Sequence, residues 1–490
     1  MYLMYLFDKR RLLLPMAALL LGTVGSNPVV MAETSDTSAA EHKTYRLESS
    51  KGPQGILRVK ALLKVQGKLQ IKSAEKDKDY RPPVKAKSKL YYDELVLAPH
   101  DHARTNRRAV RYYYVAEADV GIDQKSTQSA LSESHRKIVH TVGEQRNFFS
   151  PKGALQRDEL DLLDIPADTL TVHELLPVGD VSIGQTWPQN GHVLRRWLGL
   201  DKVGHSDVKS QLISVENARA TVRLSGHLTG IARGVETEMD LIAKYHFDFN
   251  EKHITRLIFD IQEKRAAGHA EPGFDVLARI QMRIQPISTS TPLADFELAQ
   301  GNFNSTDNAQ LIRFHSTQGG FETLHDHRWH VILDNDKTTM LRLVDDGDLI
   351  GQCNLVKLPN TPKSQPSSLS DFQEEIRKAL GQNFGEFLEA SENDLESGLK
   401  TNRVVAAGTV GKLSIRWTYY QLLSPHGMRA TCVFTTEAGK EDRFAGADEA
   451  IIQTFSFLPE EQSQLTAPTP KTEKPPRAET AQSKSSDRRS

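Results

Sequence analysis

Ile415-Arg416-Trp417-Thr418-Tyr419-Tyr420 packs β-branched and aromatic residues into six positions, which is the composition of a strand. Working outward from it, a strand carries Trp329, a run of period two surrounds Cys353, and an amphipathic helix starts near Leu369. The Ile415 strand is then the first of three that follow this helix. A turn with Gly446 precedes Ile451 to Leu458, where Phe455 and Phe457 would pack. The whole stretch from Phe321 to Leu458 reads as one unit. It holds no catalytic motif, which points to a binding or scaffolding module.

At 490 residues the chain is too long for one ordinary domain, so two or three are expected. Hydrophobic residues make up 38%, below the usual globular share, and mean hydropathy is −0.47. The 62 basic and 63 acidic residues leave a net charge of −1. No global field draws such a chain to nucleic acid or to an anionic membrane, and the balance argues against a basic patch.

Residues 1–32 read as a signal peptide. Lys9-Arg10-Arg11 form a positive start, Leu12 to Val24 an apolar core, and Val30 and Ala32 small residues before a cleavage site after Ala32. The apolar core falls short of the ~20 residues that span a bilayer, so no transmembrane segment is expected in the mature chain. The expected location is periplasmic or extracellular. In that setting a disulfide between Cys353 and Cys432, the two cysteines, is permitted, while two buried thiols are the simpler reading.

Residues 33–43 form a polar linker. Ile56 to Lys72, Lys89 to Leu97 and Val110 to Val120 alternate as half-buried strands, whereas Ser126 to Val142 reads as more helical. A helix is expected over Val193 to Leu200. A meander follows, through Val208 to Val215, Ala218 to Gly230, Val235 to Asn250 and Lys252 to Arg265. Glu216-Asn217 and Asn250-Glu251 mark its tight turns, and a last strand runs from Asp275 to Ile287. Residues 44–290 thus form a β-rich domain, with room for two lobes divided near 150–170. Residues 291–319 are rich in turn formers and read as a linker, and 459–490 as a disordered tail.

The nearest metal signal is a pair of triplets, His100-Asp101-His102 and His325-Asp326-His327, with His330 beyond. Alternate residues of a strand share a face, so two imidazoles could meet one zinc ion, but no third ligand lies at a diagnostic spacing. Polar turns beside a strand are the simpler reading of both triplets, since some clustering is expected among 17 histidines. Ala406 to Leu413 resembles a phosphate loop but lacks its first glycine and its terminal hydroxyl residue. No nucleophile elbow, His-Glu-x-x-His or Cys-x-x-Cys is present. These absences lower the case for an enzyme without excluding a hydrolase with scattered carboxylates. No cofactor is implied.

With Trp329, the Leu369-Ser370-Asp371-Phe372 helix start and the Gly408 to Tyr420 segment in place, residues 320–458 resemble the Mog1/PsbP-like family. That resemblance implies an α/β/α sandwich with protein-binding rather than catalytic roles. The meander Val208 to Arg265 more weakly resembles the LolA/LppX carriers, whose curved sheet wraps a helix around a lipid site. The expected class is therefore α+β: a curved antiparallel sheet with few helices, then an α/β/α sandwich. The expected function is an exported, non-catalytic binding or scaffolding protein of the cell envelope. A carrier of lipid or another hydrophobic ligand and a hydrolase are the alternatives, and the partner would be an envelope protein or a lipid. Tyr112 to Tyr114, Trp417 and Tyr419 are contact candidates only if exposed, the core being the prior reading.

Overall fold

The computed structural model describes residues 43–49, 55–71, 80–97, 107–143, 146–294, 311–360 and 368–459. The expected signal peptide, His100, His102 and all but the first residue of the expected tail lie outside these residues. The dominant feature is a 13-stranded antiparallel sheet. Its centre is built from Val235–Asp248, His253–Arg265, Gly273–Ile287, Ile56–Gln70, Pro83–Leu97 and Arg107–Ile122, hydrogen-bonded in that spatial order. Strict alternation makes each strand two-faced. In Val235–Asp248, Met239, Leu241, Ala243, Tyr245 and Phe247 are buried while Glu236, Glu238, Asp240 and Lys244 are exposed. Between Lys209–Glu216 and Arg219–Ala232 the chain reverses through Asn217 and Ala218, with φ of 51° and 58°. Both residues in the left-handed region is the geometry of a primed hairpin turn, matched to the strand twist.

The buried faces from one end of this sheet to the other pack on the same segment, residues 155–200, so the sheet curls around it. The segment carries the helices Arg157–Leu163 and Gly191–Leu198. Trp197, fully buried, stacks on Phe259 at 4.4 Å between ring centres, and the Tyr245 hydroxyl donates to the Leu175 carbonyl at 3.2 Å. Polar ties accompany the apolar ones. The Arg111 guanidinium donates to Glu94 at 2.6 Å and to Asp168 at 3.3 Å, and His140 Nε2 meets Asp168 at 2.5 Å, all of them buried. Burial alone would raise the Asp168 carboxyl, yet His140 and Arg111 hold it far below the usual carboxylate range.

A second, seven-stranded antiparallel sheet runs Trp329–Asp334, Thr339–Asp345, Asp348–Leu358, Arg429–Glu437, Leu413–Leu423, Lys400–Val410, Phe384–Asp394. The helix Leu369–Leu380 covers one patch of it, with Phe372 and Ile376 against Val404 and Ala406. The short helices Glu441–Phe444 and Ala447–Gln453 lie on the core that contains Trp329, Phe434 and Phe455.

The expected α+β class with an α/β/α sandwich is overturned. Four sheets dominate, and the longest helix among the described residues has 12 residues. Such a helix is about 18 Å long and cannot tile seven strands spaced about 4.8 Å apart. Three local readings also change. Ser126 to Val142 forms the strands Lys125–Ala130 and Lys137–Val142, because hairpin pairing with Arg107–Ile122 outweighs local helix preference. The Trp417 strand is the third after the helix, since Phe384–Asp394 and Lys400–Val410 come first. The expected linker contains the strand Ile312–Ser316, which pairs with Phe321–His325.

Candidate functional site at the seam between the sheets

A small sheet stitches the two large ones together. Leu155–Gln156 pairs in parallel with Ile312–Arg313, which continues to Phe321–His325 and Ser456–Phe457. Beside it, Arg157 Nη2 donates to the His327 carbonyl at 2.9 Å and to the Trp329 carbonyl at 3.4 Å. Arg342 donates to the His269 carbonyl at 2.7 Å. At the third contact two glycines meet. A Cβ on Gly234 would stand 2.2 Å from the Gly347 nitrogen, and a Cβ on Gly347 would stand 2.2 Å from the Gly234 carbonyl oxygen. Only glycine at both positions lets these turns touch, and both have positive φ.

Within the seam lies a recess of about 270 Å³. Thr127 and Gln128 from one sheet line it together with Arg157 and Asp161 from the helix behind, while Phe314, His315 and His325 line the opposite wall. The helix is held by a capping box, in which the Glu159 carboxylate accepts from the Gln156 amide at 3.0 Å and also meets His135 at 2.9 Å. Asp161 is buried. Its Oδ1 accepts from Arg233 at 3.2 Å, whereas its Oδ2 has no hydrogen-bond partner among the described residues. Arg157 Nε is likewise bare. Asp158, more exposed, has its carboxyl raised by partial desolvation and by neighbouring Glu159.

His325 sits on the recess wall, buried, with Nδ1 donating to the Asp326 carbonyl at 2.7 Å. Burial, with Arg157 nearby, pushes its pKa down to about 4. His330 is pushed well below its ordinary value by burial, then by Arg157 and Arg233, and His327 moves the same way. Neutral imidazoles are potential metal ligands, yet among the described residues no group of three or more His, Cys, Asp or Glu side chains is arranged to hold an ion. The sequence singled out His325 and His327 for a shared face. A turn at Asp326 separates them instead, leaving His325 buried in one strand and His327 exposed ahead of the next.

Cys353 and Cys432 are free and buried on adjacent strands. Cys353 stands opposite Phe434 and Cys432 opposite Leu355, so the thiols are diagonal neighbours. That offset places their Cα atoms about 7–8 Å apart, beyond ordinary disulfide reach. Tyr113 and Trp417 are buried, and Tyr112, Tyr114 and Tyr419 half-buried. The phosphate-loop-like string is a hairpin between two strands, turning at Gly411 with φ of 62°.

A larger cleft of about 860 Å³ opens at one end of the 13-stranded sheet, lined by Lys68, Lys202, Glu236, Glu238 and Lys264 among others. The 155–200 segment packs against the buried face of the curved sheet. The sequence signalled neither the recess nor the bare atoms of Arg157 and Asp161, because both depend on long-range docking. No helix among the described residues is long and apolar enough to cross a membrane.

No protein-family model matches the sequence. No curated protein matches it either. Part of the chain is similar to solved structures. A protein from Bacteroides thetaiotaomicron is 13% identical, over 31% of this chain and 50% of its own, so the match spans half of that relative. A point mutant of Mog1 is 11% identical over 31% of this chain and 98% of its own. PsbP of Synechocystis sp. PCC 6803 is 16% identical over 32% and 98%. The TM-score is 0.24 in each case. The expected likeness of the first domain to the LolA/LppX carriers finds no support among these structures.

Proposed function

We propose that the chain is an exported, non-catalytic binding and scaffolding protein of the cell envelope, which holds a polypeptide segment of its partner in the recess between the sheets. The observation that carries this reading is that two residues lining the recess each keep a buried polar atom without a hydrogen-bond partner among the described residues, Asp161 Oδ2 and Arg157 Nε. A buried acceptor or donor without a partner costs roughly 1–3 kcal/mol, so such atoms are usually satisfied by something. A peptide unit offers one donor and one acceptor and answers both. In this reading residues 320–458 are a Mog1/PsbP-like module that contributes His325, Val331 and Asp334 to the recess wall. Export rests on the Lys9-Arg10-Arg11 start, the Leu12 to Val24 core and the Ala32 cleavage site.

The test is a photo-crosslinking residue at Gln128, on the lip of the recess, in the full chain expressed in its own host. A discrete adduct is expected, and it should vanish when Thr127→Trp plugs the mouth. No adduct beyond that formed from a crosslinker at Lys412, in the distant hairpin turn, would overturn the proposal. A hydrolase is a second reading, favoured by the raised carboxyl of Asp158 three residues from Asp161 on one helix. It requires that Asp158→Asn abolish turnover of a substrate while leaving the adduct intact.

A further inference from the structure

The balanced net charge conceals a sorted surface. On the solvent-facing side of the 13-stranded sheet, cross-strand register lines up residues of one sign. Arg256 stands opposite Arg283, and Arg283 opposite Lys60; farther along, Lys64 stands opposite Lys87, with Lys85 two residues away on the same strand. All six are exposed. Like charges directly opposite each other weaken a sheet, and a bound anion would relieve that repulsion. Acids flank the cations: Asp119 stands opposite Lys87 on the next strand. Glu117 pairs with Lys89 at 2.6 Å, Asp260 with Arg279 at 2.6 Å, Asp119 accepts from Ser126 and Asp275 from Gln262, each at 2.5 Å. Of the six cations, Lys60 lies over the Tyr91 ring at 4.9 Å, and none makes an ion pair with a described residue.

We infer that this face is a binding site for a linear acidic polysaccharide, a sugar chain bearing carboxylate or sulfate groups. Three features choose that occupant. The cations form two groups, Arg256-Arg283-Lys60 and Lys64-Lys87-Lys85, with steps of about 5 Å across strands, about 7 Å from Lys87 to Lys85 and about 13 Å from Lys60 to Lys64, a path on the order of 30 Å. A flexible chain bearing many anions can reach both groups. The face lies outside a sheet that curls around its core, so a flexible polymer can follow it where a flat bilayer touches only part. Finally, Tyr91 lies beneath Lys60 and Tyr114 beneath Arg58, so these two rings beside the cations are covered and do not offer themselves for stacking nucleic-acid bases. Lysine heads supply point charges suited to carboxylate or sulfate without demanding one geometry. The site is separate from the seam recess and stands whether or not a polypeptide binds there.

The experiment measures binding of the full chain to fluorescently labelled sulfated and polyuronate oligosaccharides of graded length, by anisotropy across a salt series. Affinity should rise with length up to the span of the path and fall steeply with salt, because bound counterions are released. The double variant Lys64→Glu/Lys87→Glu should bind at least tenfold more weakly, with a shallower salt dependence. Lys412→Glu, in a turn of the other sheet, should bind like the parent, and circular dichroism confirms that both variants fold. The inference is overturned if the double variant binds as the parent does or if the parent binds no oligosaccharide. Equal or tighter binding to phosphatidylglycerol vesicles, or to a 20-nucleotide DNA, overturns it too.

Discussion

Acid should loosen the seam, and His325 allows the size of the effect to be worked out. Its folded pKa is about 4, and burial is the main cause. In the unfolded chain a histidine titrates near 6.5. The unfolded state therefore takes up the proton first as pH falls. Stability from this group is fully present above pH 6.5 and lost progressively down to about pH 4. The loss is about 1.4 kcal/mol per pH unit, so about 2 kcal/mol between pH 6.5 and pH 5. His330 and His327, shifted the same way, add to it. Asp326, held below its ordinary value by Arg328 against the opposing effect of burial, begins to contribute only at more acid pH. Asp158, raised, opposes the loss weakly because it is exposed. The assay is urea unfolding at pH 7 and pH 5, followed by tryptophan fluorescence, since Trp329 lies in the adjacent strand. The parent should be less stable at pH 5. In His325→Gln, an uncharged replacement, the difference between the two pH values should shrink by about 2 kcal/mol. An undiminished difference in that variant would refute the reasoning.

Three further outcomes follow from particular contacts. Gly347→Ala forces a Cβ toward the Gly234 carbonyl at a positive φ, so the seam should open by more than about 1 kcal/mol, seen as faster amide exchange at His327 and Trp329. Unchanged exchange there would show that the two turns can separate freely. Arg111→Met removes the cation shared by Glu94 and Asp168, leaving Glu94 with the Thr169 hydroxyl and Asp168 with His140, and should cost about 3–5 kcal/mol in urea unfolding; a loss below about 1 kcal/mol would mean that Arg111 is not needed to balance the buried acids. Cys353 and Cys432, buried with raised thiol pKa values, should resist thiol reagents in the native protein and react only on unfolding. Rapid native labelling would contradict their burial.

Alternation carried much of the β architecture into plain view. Runs such as Lys68-Leu69-Gln70 and the meander through Arg265 imply two-faced strands because a pleated strand turns successive side chains to opposite sides. The turn at Asn217 was legible for an equally local reason, its tolerance of positive φ. The hidden elements were those decided by distant partners. Lys125–Ala130 is a strand because Arg107–Ile122 offers it an edge, and Ile312–Ser316 is a strand because it pairs with Phe321–His325 and Leu155–Gln156.

The same division separates the two candidate sites. Each lysine and arginine of the outer face could be read from the chain, but their net effect was masked by the 63 acidic residues that offset the 62 basic ones overall. Register gathered them, because strands far apart in sequence align residue by residue once hydrogen-bonded. Likewise, His325 stood out as a candidate from its spacing, yet its burial and its neighbour Arg157 come from the docking of residues 155–163 against 312–331. Local periodicity set the two faces of the strands in this protein. Its charge clusters and its seam arose only from long-range pairing, since Coulomb energy and desolvation depend on distance in space and not on separation along the chain.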